Sequence, residues 1–303
     1  MRKKLLPVFL GILSIIGFGS CSNFEGNQEI PSYIKIDAIN LVQNNNIPQS
    51  SIEGFNTSLI TDVWIYVDNI NIGAFTLPCE IPILEEGSHK IDIRPGVKLN
   101  GIAMTRAEYP FYSYYSQTHN LIPGKTIDFG TLEVKYNDIL TKFSLVELFE
   151  SPSIEFTTDG INPDSTNLIT KINHIDSVEY GSYCGAMYLG KNQASYKIIT
   201  DSMYVTNKDV LILELDYWCN IPFDIGIKGK TSSGSKDYYI NAMRVNANSN
   251  KGWQKIYVVM GKVWQQLFYP NTFRVFLSPA NPNNIDNGWV YIDNVKLIHK
   301  PNF

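Results

Sequence analysis

Histidine and cysteine are scarce, with four of each in 303 residues. His89, His119, His174 and His299 show no His-x-x-x-His spacing and no Cys-x-x-Cys occurs, so the common zinc patterns are missing. A Gly-x-Ser-x-Gly nucleophile elbow is missing too. Gly181-Ser182-Tyr183-Cys184-Gly185 has tyrosine at its centre and runs into the strand-like Met187-Tyr188-Leu189, where an elbow must lead into a helix. Lys and Arg number 25 against 29 Asp and Glu and form no basic block outside the first residues. Nucleic acid is therefore not an expected partner, because phosphate neutralisation needs clustered cations. Beyond residue 18 no apolar run approaches the ~20 residues of a membrane helix. Ala-rich, Leu-rich or Glu/Lys-rich helical stretches are nearly absent.

Aromatic residues, by contrast, make up 13% of the chain, with 18 Tyr and 15 Phe. Much of the tyrosine alternates with Ile and Val, which suits pleated, half-buried strands. The expected class is all-β. The N-terminus carries Arg2, Lys3 and Lys4, then an uncharged, mostly apolar run from Leu5 to Phe18, then the small residues Gly19 and Ser20 before Cys21. That order reads as a secretory signal peptide. Phe18-Gly19-Ser20-Cys21 resembles the bacterial lipoprotein lipobox. The resemblance implies cleavage before Cys21, lipid on its thiol, and a protein held on a membrane by its N-terminus. Without the three basic signal residues the formal charge of −4 becomes −7, so anionic headgroups add nothing to the lipid anchor.

Turn and strand patterns divide the chain into a signal peptide (1–20), a polar lipidated tether (21–30), a small β-sandwich-like domain (31–136), a linker (137–148) and a β-sandwich (149–303), which the second resemblance below implies is a jelly roll. In the first domain Val67-Asp68-Asn69, Gly73, Leu77-Pro78 and Gly87-Ser88-His89 resemble the PEGA-type surface domain, which is non-catalytic and mostly envelope-associated. In the second, Phe149-Glu150, the Gly181 to Leu189 run, Gly252-Trp253-Gln254-Lys255 and Val290-Tyr291-Ile292-Asp293-Asn294-Val295 resemble the galactose-binding-like jelly roll of many carbohydrate-binding modules. Several short strands with polar turns argue for a sandwich independently. Pro31-Ser32-Tyr33-Ile34, Ile36-Asp37, Thr61 to Trp64 and Tyr109 to Tyr112 resemble a family of Bacteroidota lipoproteins.

Within Leu211 to Trp218, alternation puts Leu211, Leu213, Leu215 and Tyr217 on one face and Ile212, Glu214, Asp216 and Trp218 on the other. Glu214, Asp216 and Trp218 form a candidate sugar platform; the same face also suits a protein partner or a core tryptophan with rim carboxylates. Tyr109, Phe111, Tyr112, Tyr114 and Tyr115 form the densest aromatic cluster, whose outward side is either a partner surface or covered by the second domain. The jelly-roll resemblance implies a structural calcium near Glu150 and Asp293, weighed against a solvated Glu150 and a turn-bonded Asp293. No other cofactor is expected. Cys184 and Cys219 are the likelier disulfide pair if any forms; otherwise Cys79, Cys184 and Cys219 are small buried hydrophobes.

The expected role is non-enzymatic: a lipid-anchored recognition or scaffold subunit of the outer membrane, docking on an envelope protein. The alternative is a surface glycan-binding lipoprotein, and a carbohydrate-active enzyme is a third reading. Ser22 to Gly26 carry a single charge, Glu25, which leaves both the periplasmic and the cell-surface face open.

Overall fold

The computed structural model describes residues 29–46, 53–160, 168–173, 181–205, 209–230, 236–267 and 272–301. The signal peptide, Cys21 and most of the tether lie outside the described residues. Strands dominate, as the alternating tyrosine-rich sequence requires, and the described residues include one short α-helix, α1 (Gly261–Gln266), and a single 3-10 turn at Ala103–Thr105.

The first domain contains β1 (Ser32–Ile36), β2 (Ala38–Leu41), β3 (Asp62–Val67), β4 (Ile70–Thr76), β5 (Cys79–Ile83), β6 (Gly87–Lys98), β7 (Arg106–Glu108), β8 (Tyr115–Leu121), β9 (Thr126–Asp128) and β10 (Thr131–Val134). The β3–β4 hairpin turns on Asp68 and Asn69, both at positive φ. Asn and Asp tolerate that conformation, which matches the twist of the flanking strands. One sheet runs β4-β3-β6, with β7 and β8 along the far edge of the long β6; two smaller sheets, β5-β1-β9 and β2-β10, face it. Ile34, Ile36, Val63, Ile65, Ile91 and Ile93 fill the space between them.

The second domain contains β11 (Lys142–Glu147), β12 (Phe156–Thr158), β13 (Ile169–Asn173), β14 (Tyr183–Gly190), β15 (Ile198–Thr200), β16 (Leu211–Cys219), β17 (Phe223–Lys230), β18 (Asp237–Val245), β19 (Gln254–Val259), β20 (Phe273–Pro279) and β21 (Asn287–His299). Its first sheet is β13-β14-β21-β16-β19, with β11 against the C-terminal half of β21; its second is β12-β15-β20-β17-β18. Leu213, Leu215, Val258 and Ile292 of the first sheet meet Ile225, Ile227, Val275 and Leu277 of the second in one core. The architecture is a β-sandwich.

Two expectations change here. Residues 137–148 are not a simple linker, since β11 pairs antiparallel with β21 from Lys142↔His299 to Glu147↔Val295. Cys184 and Cys219 form no disulfide. They sit on β14 and β16, the two strands flanking β21, and pack on opposite faces of the sheet. Two strand spacings, roughly 9–10 Å, exceed what a disulfide spans.

Candidate functional site

The two outer faces of the jelly roll differ. That of the first sheet is covered over β16, β19 and the C-terminal half of β21 by the first domain. Ile212, Tyr257 and Ile298 project from it into the first domain's own core. Between them lies a buried polar network. Glu214, fully buried, accepts hydrogen bonds from the hydroxyls of Tyr109 and of Tyr136 (2.9 Å) and pairs with Lys255 at 3.3 Å. Asp216 accepts from Thr57 Oγ1 at 2.6 Å and Asn294 Nδ2 at 3.2 Å. Lys296 donates to the Phe55 carbonyl at 2.7 Å and to Tyr136 Oη at 3.2 Å. Burial, followed by the nearby charge of Lys255, pulls Lys296 down to about 7. Burial, followed by the Glu214 charge, pushes Tyr109, Tyr112 and Tyr136 well above the usual phenol value.

This geometry relocates most of the residues singled out from sequence. Tyr109, Phe111 and Tyr112 are buried. Tyr109 packs against Tyr112 and Tyr257 with ring centroids 4.4 and 5.0 Å apart. Their aromatic area covers the second domain and offers no partner surface. Tyr115 is half-buried against His119 and Phe129, and Tyr114 stays exposed with its ring 4.8 Å from the Arg94 guanidinium. Glu214 and Asp216 do share a face with Trp218, but the first domain lies over both carboxylates, so they cannot serve a sugar platform. Trp218 alone emerges beyond the covered area, beside Trp289 and Tyr291. Glu150 caps the Ser182 and Tyr183 amides (2.6 and 3.0 Å), and Asp293 accepts from the Asn294 amide. Among the described residues no group of three or more His, Cys, Asp and Glu is placed to hold a metal ion.

The second sheet's outer face is open. Alternation along Phe223-Asp224-Ile225-Gly226-Ile227-Lys228 sends Ile225 and Ile227 to the core and turns Asp224 and Lys228 to the other side, their side chains 16% and 13% exposed. β18 sets Arg244 opposite Asp224 and Tyr239 opposite Lys228. Arg244 grips Asp224 in a two-pronged pair, Nε and Nη2 each 2.8 Å from a carboxylate oxygen. Lys228 donates to Asp159 at 2.7 Å and lies 3.4 Å from Asp237, while the Tyr239 hydroxyl also donates to Asp159. Burial works against the Lys228 charge, but the bonds to Asp159 and Tyr239 hold its pKa above the ordinary lysine value. The same bonds keep Asp159 below the ordinary carboxylate value despite its own burial. Lys228 and Asp159 are thus ionised and fixed by one another.

Gly226 shapes the floor. A Cβ there would collide with the Ile240 carbonyl and the Phe276 ring, so only glycine lets Phe276 lie against β17. Tyr239 stands edge-on to Phe276 at 5.8 Å. Beside this floor is a cavity of about 270 Å³ lined by Lys197, Asp224, Asn241, Arg244, Ser278 and Asn281, among others. None of these residues stands out as a motif. The sequence signal of this face is Asp224 and Lys228 on either side of Gly226 at alternate positions of β17, with Arg244, Asn241 and Tyr239 at the registered positions of β18.

The chain matches no protein-family model. It matches no curated protein. Among solved structures it is similar to a carbohydrate-binding module of the β-sandwich superfamily, at 14% identity over 90% of this chain and 99% of that one, with a TM-score of 0.37. A family 11 carbohydrate-binding module from Clostridium thermocellum, in complex with a β-1,3-1,4-mixed-linked tetrasaccharide, is 15% identical over 54% of this chain and 98% of that one, with a TM-score of 0.37. The K2 cleaved adhesin domain of Lys-gingipain is 14% identical over 50% and 96%, with a TM-score of 0.33.

Proposed function

We propose that this chain is a lipid-anchored, non-catalytic module that binds oligosaccharide on the open face of the second jelly-roll sheet. The observation that carries the reading is the fixed Asp224–Arg244 and Asp159–Lys228–Tyr239 arrangement beside the 270 Å³ cavity. Sugar hydroxyls need donors and acceptors already in place, because ordering flexible side chains on binding costs affinity. Arg244 and Asn241 supply donors, Asp224 supplies an acceptor, and the part-exposed Tyr239 ring offers an apolar surface to a pyranose. The anchor is supported by the Phe18-Gly19-Ser20-Cys21 sequence. The protein-docking expectation loses its main support because its aromatic strand is buried against the second domain.

The test is native electrophoresis of the protein from Ser22 onward through gels containing polysaccharide. Retention of the wild type, and loss of retention by about tenfold in apparent affinity for Arg244→Ala and Tyr239→Ala, is the expected result. Wild-type mobility unchanged in neutral and anionic gels alike would defeat the reading. For the full-length chain, Cys21→Ser should move the protein from the membrane to the soluble fraction; persistence in the membrane would remove the lipid anchor.

A further inference from the structure

The part of the first sheet's outer face that the first domain leaves uncovered carries a third apolar cluster, separate from the two domain cores. Cys184, Ala186 and Tyr291 form its base, with Ile172, Trp218, Trp253 and Trp289 packed on it. Register brings the rings together: Trp218 lies opposite Tyr291 across β16–β21, and Tyr188 opposite Trp289 across β14–β21. Trp289 and Tyr291 stack at 4.5 Å and 20°. Trp218 meets both edge-on, at 5.2 and 6.2 Å, and Tyr188 meets Tyr291 edge-on at 6.2 Å. Tyr188 is 48% exposed and the three tryptophans are half-exposed. Tryptophan at the surface of a sheet, in a cluster of five rings, is costly to leave in water and marks a contact site.

The chemistry around the rings selects the occupant. The outward positions Cys184, Ala186, Tyr188, Trp289, Tyr291 and Trp218 carry no charged group. The hydrogen-bond partners of the rings are neutral: Trp218 Nε1 donates to the Ser249 carbonyl at 3.1 Å, and the Asn220 amide bridges Trp289 N and the Asn287 carbonyl at 2.6 and 2.8 Å, while Asp293, whose charge reaches Cys184, is buried. An aromatic cluster bordered by amides and carbonyls, its rings partly stacked and partly edge-on, fits a ligand with an apolar ring face and hydroxyl edges. The open face of the second sheet is the reverse, held together by ion pairs.

We propose that the Trp218–Trp289–Tyr291 patch is a second saccharide-binding surface, taking the faces of neutral pyranose rings. The proposal rests on the reading of the chain as a saccharide binder but uses the opposite sheet and other residues. Two sites on opposite sides of one domain bind separate chains, so the protein gains avidity on a polysaccharide network that it lacks on short oligosaccharides.

The experiment compares wild type, Trp289→Ala, Trp289→Phe and Arg244→Ala in gels of a neutral β-glucan, a neutral galactomannan and polygalacturonate, at low and high salt. The expected result is about a tenfold loss of apparent affinity in at least one neutral gel for Trp289→Ala. Trp289→Phe should recover part of it, and Arg244→Ala should keep the salt-insensitive share of the retention. Trp289→Ala retained like wild type, with Arg244→Ala unretained, would overturn the second site and leave the open-face site standing. A wild type retained in no gel would overturn both.

Discussion

The two outer faces of the jelly roll are made from the same kind of alternating strand and end up in opposite environments. On β16, Glu214 and Asp216 point away from the core into the first domain. On β17, Asp224 points away from the core into an open cleft, and Lys228 points to the same side, held by Asp159. Both faces use ion pairs, but those on the first face are dry. A buried charge is tolerated only while every partner is present, so the covered face acts as a rigid joint between domains. On the open face Arg244 is half-exposed, so its pair with Asp224 contributes little to stability and remains available to a ligand, whereas Lys228 and Asp159 are mostly buried.

The largest effect that can break this comparison lies on the covered face. Glu214→Ala removes the acceptor for Tyr109 and Tyr136 and leaves Lys255 without its closest carboxylate. A loss of ~3–5 kcal/mol is expected in urea unfolding. Arg244→Ala on the open face should cost less than about 1 kcal/mol. Equal losses would erase the distinction between joint and binding face.

A smaller effect comes from pH. Lys296 faces Lys255, Glu214, Asp216 and Glu53, and its folded pKa of about 7 lies below the ordinary lysine value of 10.5. The folded protein therefore sheds this proton before the unfolded chain does. Below about pH 7 both states carry it and the full penalty of burying the charge applies. Stability contributed by this group should rise between pH 7 and about 10, and Lys296→Met should flatten the rise. Glu53, pushed up by burial, titrates with the opposite sign. Thermal melts of both proteins across that range decide the matter; an unchanged slope in Lys296→Met would contradict the assignment.

The all-β class was legible because alternation of Ile, Val and Tyr with polar residues is a property of single strands. The division of β16 into an apolar and a mixed face was legible for the same reason. What lies over the mixed face was not, because coverage by another domain is a tertiary fact that alternation cannot report. A clue was present nonetheless. Lys255 and Lys296 sit within otherwise apolar strands, and β16 places Asp216 opposite Lys255 and Glu214 opposite Lys296. Charges of opposite sign in the middle of apolar strands suggest a buried pair. The open-face site was illegible for a different reason. Asp224, Tyr239 and Arg244 are ordinary outward residues of two strands, and only register brings Arg244 to Asp224 and Tyr239 to Lys228.

The most direct test of the account is hydrogen exchange of the protein from Ser22 onward, with and without an oligosaccharide cut from whichever polysaccharide retains it. The account predicts slowed exchange in β17 and β18, residues 223–245, and no change in residues 211–216 beneath the first domain. Slowing confined to the first domain, with 223–245 unaffected, would contradict it.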